Sequence, residues 1–251
     1  MRNADSWRPS KFVLRRGRLR ASRDPEEVSP SSVLTADRVA AAYQRHLPPY
    51  CGGTLLDVGC GKVPLYGLYG DLVEYTVCMD RRDSIHGVDH LDAFIDVEEG
   101  LPVRSRLFDT VLASDVLEHS PDPPLLVSEM ARVLRPGGHL ILSVPFYYPL
   151  HEMPDDYYRL TETALRKLAA DSGLEVILLE SLGGVSEVLG DLLGKTSDAL
   201  PIIGGPLCMA TRVFFSTLGR TIPGRWLSRA TCRSFPLGYF MVARRPEDRA
   251  G

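Results

Sequence analysis

The chain has 251 residues, enough to bury one substantial core and still carry an insertion. Its 44% hydrophobic and 24% charged residues are ordinary for a globular protein, and a net charge of −3 argues against a general nucleic-acid binder. Five cysteines (Cys51, Cys60, Cys78, Cys208 and Cys232) form no CxxC pair and no metal-ligand spacing, so reduced thiols, a cytoplasmic location and no bound metal are the expectations.

The N-terminus is charged from Arg2 onward and lacks the apolar core of a secretory signal. The longest apolar stretch, 199–218, is interrupted by Pro201, Pro206 and Arg212, so no membrane-spanning helix is expected. Residues 1–30 read as a polar extension in which Arg8, Lys11, Arg15, Arg16, Arg18, Arg20 and Arg23 stand with no acid among them. One reading is a contact to phosphate or an anionic surface. The preferred reading is a solvated arm packing Trp7, Phe12 and Leu14 onto a domain spanning 31–251, because charge runs are usually solvated. Ser31 or Ser32 opens a helix to about His46, with Val33, Leu34, Val39, Tyr43 and Leu47 on one face, and Pro48 and Pro49 stop it.

The short apolar run 54–58 ends in Asp57, Gly59 and Gly61, with Pro64 placed for the first turn of a helix. A buried strand, a glycine turn and a helix form a cradle at the carboxyl end of a sheet. A second strand, 74–79, delivers Asp80 about 20 residues after the glycines, the spacing of a ribose-binding carboxylate. A third, within 90–95, delivers Asp96, and the fourth, 108–114, ends in Ser114 and Asp115. Asp122 caps a helix opened by Pro123 and Pro124, and Arg135-Pro136-Gly137-Gly138 ends it. A fifth strand follows at 139–144. Thr161 caps another helix, stopped by Gly173, and strands at 174–179 and 237–243 complete an α/β chain with a parallel sheet. GxGxxG is absent, which argues against a nicotinamide site.

The ordered set LLDVGCG, Asp80, Asp96 with Leu101-Pro102, FDTVLASDVLEH and RVLRPGGHLILSVP resembles the class I S-adenosylmethionine-dependent methyltransferases, in particular small-molecule enzymes of bacterial polysaccharide and natural-product clusters. The resemblance implies a Rossmann-like, doubly wound seven-stranded sheet whose last strand is antiparallel. It also implies S-adenosyl-L-methionine as cofactor. Asp57, Gly59 and Gly61 would surround its methionine part, Asp80 its ribose, Asp96 and Val97 its adenine, and Ser114 and Asp115 would line the site. Val63 stands where many members carry a third glycine.

Methylation of a hydroxyl benefits from a base near the acceptor oxygen. His119, in Leu117-Glu118-His119, is one candidate, with a structural role preferred. His151 is the first choice, in a proline-rich segment, 145–161, where Asp155 or Asp156 would orient it or bind the acceptor. Tyr147, Tyr148, Asp156, Tyr157 and Arg159 give that segment a stacking, polar surface suited to a sugar or glycoside. Residues 183–233 interrupt the hairpin before the last strand, and a helical cap, a peripheral membrane contact and a homodimer contact are all open readings. Val185, Val188, Leu189, Leu192 and Leu193 have the spacing of a core-packed helix face. O-methylation of a sugar or glycosylated natural product is the expected function. N-methylation of an amino sugar, or a non-catalytic cofactor-binding partner, are the alternatives.

Overall fold

A computed structural model describes residues 1–95, 99–198 and 200–248. An antiparallel hairpin, β1 (Phe12–Arg15) and β2 (Arg18–Ala21), precedes α1 (Val33–His46). The central strands are β3 (Thr54–Val58), β4 (Tyr75–Asp80), β5 (Ala93–Phe94), β6 (Phe108–Ser114) and β7 (Leu134–Pro145). The single-turn α2 (Tyr66–Tyr69) lies between β3 and β4, and α3 (Pro123–Val133) between β6 and β7. Then come α4 (Glu162–Asp171), β8 (Glu175–Leu182), α5 (Val185–Asp198), α6 (Gly204–Leu218), α7 (Ile222–Thr231) and β9 (Gly238–Arg244).

The main sheet has seven strands in the order β5-β4-β3-β6-β7-β9-β8, parallel except for β9, which runs antiparallel to both neighbours. The chain steps outward from β3 in one direction and from β6 in the other, so the order reverses between them. That reversal opens a crevice at the carboxyl ends of β3 and β6. Strand side chains alternate between two cores. Leu56, Val58, Val111 and Leu140 pack with Leu126 and Met130 of α3 and Leu165 of α4. Leu55, Leu112, Ile141 and Phe240 pack with Val39 and Tyr43 of α1 and with the hairpin. Burial on both faces explains why the strands read as continuous apolar runs.

Several sequence expectations shift in detail. Asp122 and Thr161 do cap α3 and α4, accepting from Leu125 N at 3.0 Å and Ala164 N at 3.2 Å. The helix after the glycine turn lasts one turn only, and the third strand is two residues long. The fifth strand starts earlier, at Leu134, because Leu134 pairs with Phe108 before the register slips. Asp96 and Val97 lie outside the described residues.

The N-terminal extension folds as part of the core around β1 and β2. Phe12 and Leu19 are buried, Ala21 N donates to Asp37, and Leu19 N donates to Gln44. Leu14, expected to pack, is exposed. The expected apolar face of α5 is also overturned. Leu189, Leu192 and Leu193 are 44%, 49% and 47% exposed, while Ser186, Glu187, Gly190, Asp191, Gly194 and Ser197 face inward. The reason is polar pairing with α1 and close approach to α6. Arg38 pairs with Glu187 at 2.5 Å, and Thr35 Oγ1 donates to Asp191 at 2.6 Å. A Cβ at Gly190 would come within 2.9 Å of the Phe215 ring.

Candidate active site

The loop after β3 turns on Gly59 (φ 64°) and Gly61 (φ 48°), both in the left-handed region that glycine tolerates. A Cβ on Gly59 would sit 2.6 Å from a Val116 methyl carbon, so a larger residue would have to displace Val116. The loop is tied to β4: Gly59 N and Cys60 N donate to Met79 O at 2.8 and 3.2 Å. Asp80, at the end of β4, accepts from Gly61 N at 2.8 Å, Ser84 Oγ at 3.1 Å and Arg81 N at 2.7 Å. Val63 adopts φ 51° although β-branched, a conformation that persists only where the surroundings enforce it. It is fully buried, and its carbonyl accepts from the Trp7 indole at 3.1 Å.

A cavity of about 630 Å³ opens over this loop. Gly59, Gly61, Asp80, Ser114, Asp115, His119, Tyr148, His151 and Asp155 all line it, which unites the glycine motif, the ends of β4 and β6, and the proline-rich segment. Asp57 lies outside its lining, buried beside Tyr69, whose hydroxyl donates to it at 2.9 Å. Burial pushes the Asp57 carboxyl up to about 7, with Tyr69 opposing and Asp80 adding to the rise. Tyr147, Asp156, Tyr157 and Arg159 are also outside the lining. Asp156 and Arg159 instead brace the segment as a two-bond ion pair (2.5 and 2.7 Å), and Asp156 accepts from His151 N at 2.9 Å. The Arg159 guanidinium holds the Asp156 carboxyl well below the usual carboxylate range.

The polar wall opposite the glycine loop carries three ionisable groups at close range. Glu118 is 1% exposed, and neither carboxylate oxygen has a hydrogen-bond partner. Burial, with Asp115 nearby, raises its pKa well above the ordinary value. His119 Nδ1 lies 2.6 Å from Asp155 O and donates to it, while Nε2 lies 3.9 Å from a carboxylate oxygen of Glu118 and of Glu152. The His151 ring meets that of His119 edge-on at 4.8 Å, and its buried Nδ1 has no hydrogen-bond partner. Asp156 Oδ2 is 3.3 Å from that nitrogen but off hydrogen-bond angle. Desolvation, then the neighbouring His119, lowers the His151 pKa. Among the described residues, Glu118, His119 and His151 each offer a donor atom, all within 4.8 Å of one another. Two imidazoles and a carboxylate suit proton transfer and also suit a divalent ion.

Asp155 does not orient His151 with its side chain. That carboxylate binds Arg81 at 2.8 Å and Tyr157 at 3.0 Å, and its backbone carbonyl holds His119 instead. Two cavity residues escape the sequence reading. Lys11, from the basic extension, reaches Asp115 Oδ2 at 2.8 Å, and Ser143 Oγ donates to the other oxygen at 2.9 Å. Desolvation opposes the Lys11 charge, but Asp115 outweighs it and the Lys11 pKa is raised. The acid-free basic run was the only sign of Lys11. Glu118 stood in view within the Leu-Glu-His triplet, and only its burial distinguishes it from a surface acid.

Residues 34–179 match the family described as a methyltransferase domain. A similar sequence is the S-adenosylmethionine-dependent methyltransferase of Mycolicibacterium smegmatis, 28% identical over 181 residues, or 61% of this chain and 70% of that protein. The ubiquinone biosynthesis O-methyltransferase of Xylella fastidiosa is 31% identical over 107 residues, 42% of this chain and 44% of its own length. The chain thus spans less than half of that second relative. In fold, the chain is similar to an S-adenosylmethionine-dependent methyltransferase from Mesorhizobium loti, with TM-score 0.54, 16% identity, and coverage of 84% of this chain and all (100%) of that one. It is equally similar in fold to the (4+2)-cyclase SpnF, with TM-score 0.54, 18% identity, and coverage of 86% and 83%.

Proposed function

The chain belongs to the class I S-adenosylmethionine-dependent methyltransferases, and on that premise we propose that it methylates a hydroxyl of a sugar or glycosylated natural product, with His151 as the base. The cofactor fits the residues present, because Gly59, Gly61 and the Asp80 carboxylate line one cavity at the carboxyl ends of the strands. S-adenosylmethionine supplies an electrophilic methyl carbon on a sulfonium. Gly59 and Gly61 would give backbone approach to it, and Asp80 would accept from its ribose hydroxyls. Ser114 and Asp115 would line the methyl-bearing side, with Lys11 and Ser143 fixing the Asp115 carboxylate.

The observation that carries the reading is the placement of His151 in the cavity wall with Nδ1 buried against Asp156, which leaves Nε2 as the ring nitrogen to meet an acceptor. Such a nitrogen can take the proton from an attacking hydroxyl. His119 shapes that basicity: its ring sits against His151 and disfavours a second positive charge. Tyr148 meets His151 edge-on at 5.1 Å and offers an aromatic face to a sugar ring. His151→Gln is expected to lower turnover by roughly 10²–10⁴-fold, with cofactor affinity unchanged. Because the His151 pKa is lowered, the acid limb of the wild-type rate profile is expected below the ordinary histidine value of about 6.5, and absent in the variant. Turnover unchanged by His151→Gln would exclude this base, and would suit N-methylation of an amine that arrives neutral.

A second reading rests on Glu118, whose buried oxygens have no partner. A divalent ion held by Glu118, His119 and His151 would satisfy them and would orient a diol acceptor. Turnover lost on chelation and restored by Mg²⁺ or Mn²⁺ supports the ion, and turnover indifferent to chelation supports His151 as base.

A further inference from the structure

The insertion between β8 and β9 is built with its apolar side outward. Along α6, Pro206, Met209, Ala210, Val213 and Thr217 follow helical spacing and are all exposed, an outward face without a charge. Ile202, just before it, is 99% exposed. On α7, Ile222 and Trp226 are one turn apart and 76% and 69% exposed. Together with the outward leucines of α5, these make an apolar surface of a kind that monomeric proteins rarely leave open.

The charge beside this surface has one sign. Between Asp198 and Glu247 the sequence contains no acid and seven arginines. Arg225, Arg229 and Arg233 recur at four-residue spacing, so they form a row along α7 and just past its end. They share a groove with Arg38, Arg45 and Arg166, whose acids Glu180 and Glu162 are already paired with Arg45 and Arg166. Among the described residues, none of Arg225, Arg229 and Arg233 is ion-paired. An apolar face bearing tryptophan and isoleucine, flanked by arginines, lies in a bilayer interface with its cations at the headgroups.

We propose that α5–α7 form a docking face for anionic membrane surface. Charge decides between a bilayer and a second copy of the chain. A two-fold interface would set the arginine-rich α6–α7 surface, which carries no acid, against itself, whereas anionic phospholipid neutralises it. No helix among the described residues is long and apolar enough to cross a membrane, so contact is peripheral. The inner side of α5, opposite the docked face, adjoins the cavity: Lys195, paired with the buried Asp191, lies 3.7 Å above the ring of Tyr148, a cavity residue.

The test is co-sedimentation of the full chain with vesicles of phosphatidylglycerol and phosphatidylcholine, against phosphatidylcholine alone. Binding to the anionic vesicles is expected, at least tenfold weaker on neutral vesicles and weakened by 0.5 M salt. Trp7 and Trp226 are the two tryptophans. The wild-type emission spectrum minus that of Trp226→Phe should therefore shift to the blue on anionic vesicles. Ile222→Ser with Trp226→Ser, and separately Arg225→Glu with Arg229→Glu, are each expected to lower vesicle affinity by at least tenfold. Both are expected to keep wild-type S-adenosylhomocysteine binding, which checks the fold. No binding to anionic vesicles overturns the proposal. So does a stable dimer in sedimentation velocity that the same pairs of substitutions turn into monomer.

Discussion

Helix α3 turns Leu126, Met130 and Val133 onto the sheet, whereas α5 turns Leu189, Leu192 and Leu193 to the outside and buries Glu187 and Asp191. Both segments carry leucines at helical spacing, and periodicity alone assigns both the same role. What separates them is the partner. A strand face offers α3 only apolar surface, while α1 offers α5 Arg38 and Thr35, for which carboxylates are the complement. A helix therefore buries whichever face its neighbour can satisfy, and the leftover face is available for another surface.

The sharpest way to break this comparison is to make the same substitution on both helices. Leu126→Ala should destabilise by about 2–5 kcal/mol, through lost burial and the cavity left behind. Leu193→Ala should change stability by less than about 0.5 kcal/mol, as exposed positions do. Thermal unfolding of the two variants side by side measures the difference, and equal losses would mean that the α5 leucines are buried in solution. The reciprocal change tests the inward face. Asp191→Ala removes the partner of Thr35 and of Lys195, which lies 2.5 Å away, and should destabilise by about 1–3 kcal/mol. A neutral Asp191→Ala would deny that polar pairing sets the orientation of α5.

The same contrast explains what the sequence revealed. The cofactor side was legible because local chemistry dictates it. Gly59 and Gly61 are glycines on account of backbone angle and the Val116 methyl, and Asp80 sits where a strand ends. The backbone angle and the strand end are both set within a few residues of their motifs. The acceptor side was legible only in part. His119, His151 and Asp155 do converge, but which atom holds which depends on contacts across the fold, such as the Asp155 carbonyl on His119. Lys11 was hidden for the same reason, since Asp115 lies 104 positions away. The orientation of α5 was hidden because it belongs to the pair α1–α5 and to neither sequence alone.

Asp57 gives the finest test of the cofactor side, because its chemistry runs against its motif. The motif places an acid under the glycine loop, yet among the described residues that acid meets the Tyr69 hydroxyl and no cation, and its pKa rises to about 7. In the unfolded chain the same carboxyl ionises near 3.9. From about pH 4 to pH 7 the unfolded state therefore releases a proton that the folded state keeps, and stability falls across that window. Above pH 7 the full penalty is present. Asp57→Asn removes the titration and leaves an oxygen for Tyr69 to donate to. In the absence of cofactor, the variant should equal wild type near pH 4. At pH 8 it should exceed wild type by up to about 4 kcal/mol, the free energy that separates a carboxyl ionising near 3.9 from one ionising at about 7, with Tm raised accordingly. A variant less stable than wild type at pH 8 would mean that the folded chain holds Asp57 ionised, with compensation from a cation near the loop. Cofactor affinity measured on the same variant then separates the roles. If the carboxylate faces the positive charge of bound S-adenosylmethionine, Asp57→Asn gains stability and loses affinity together.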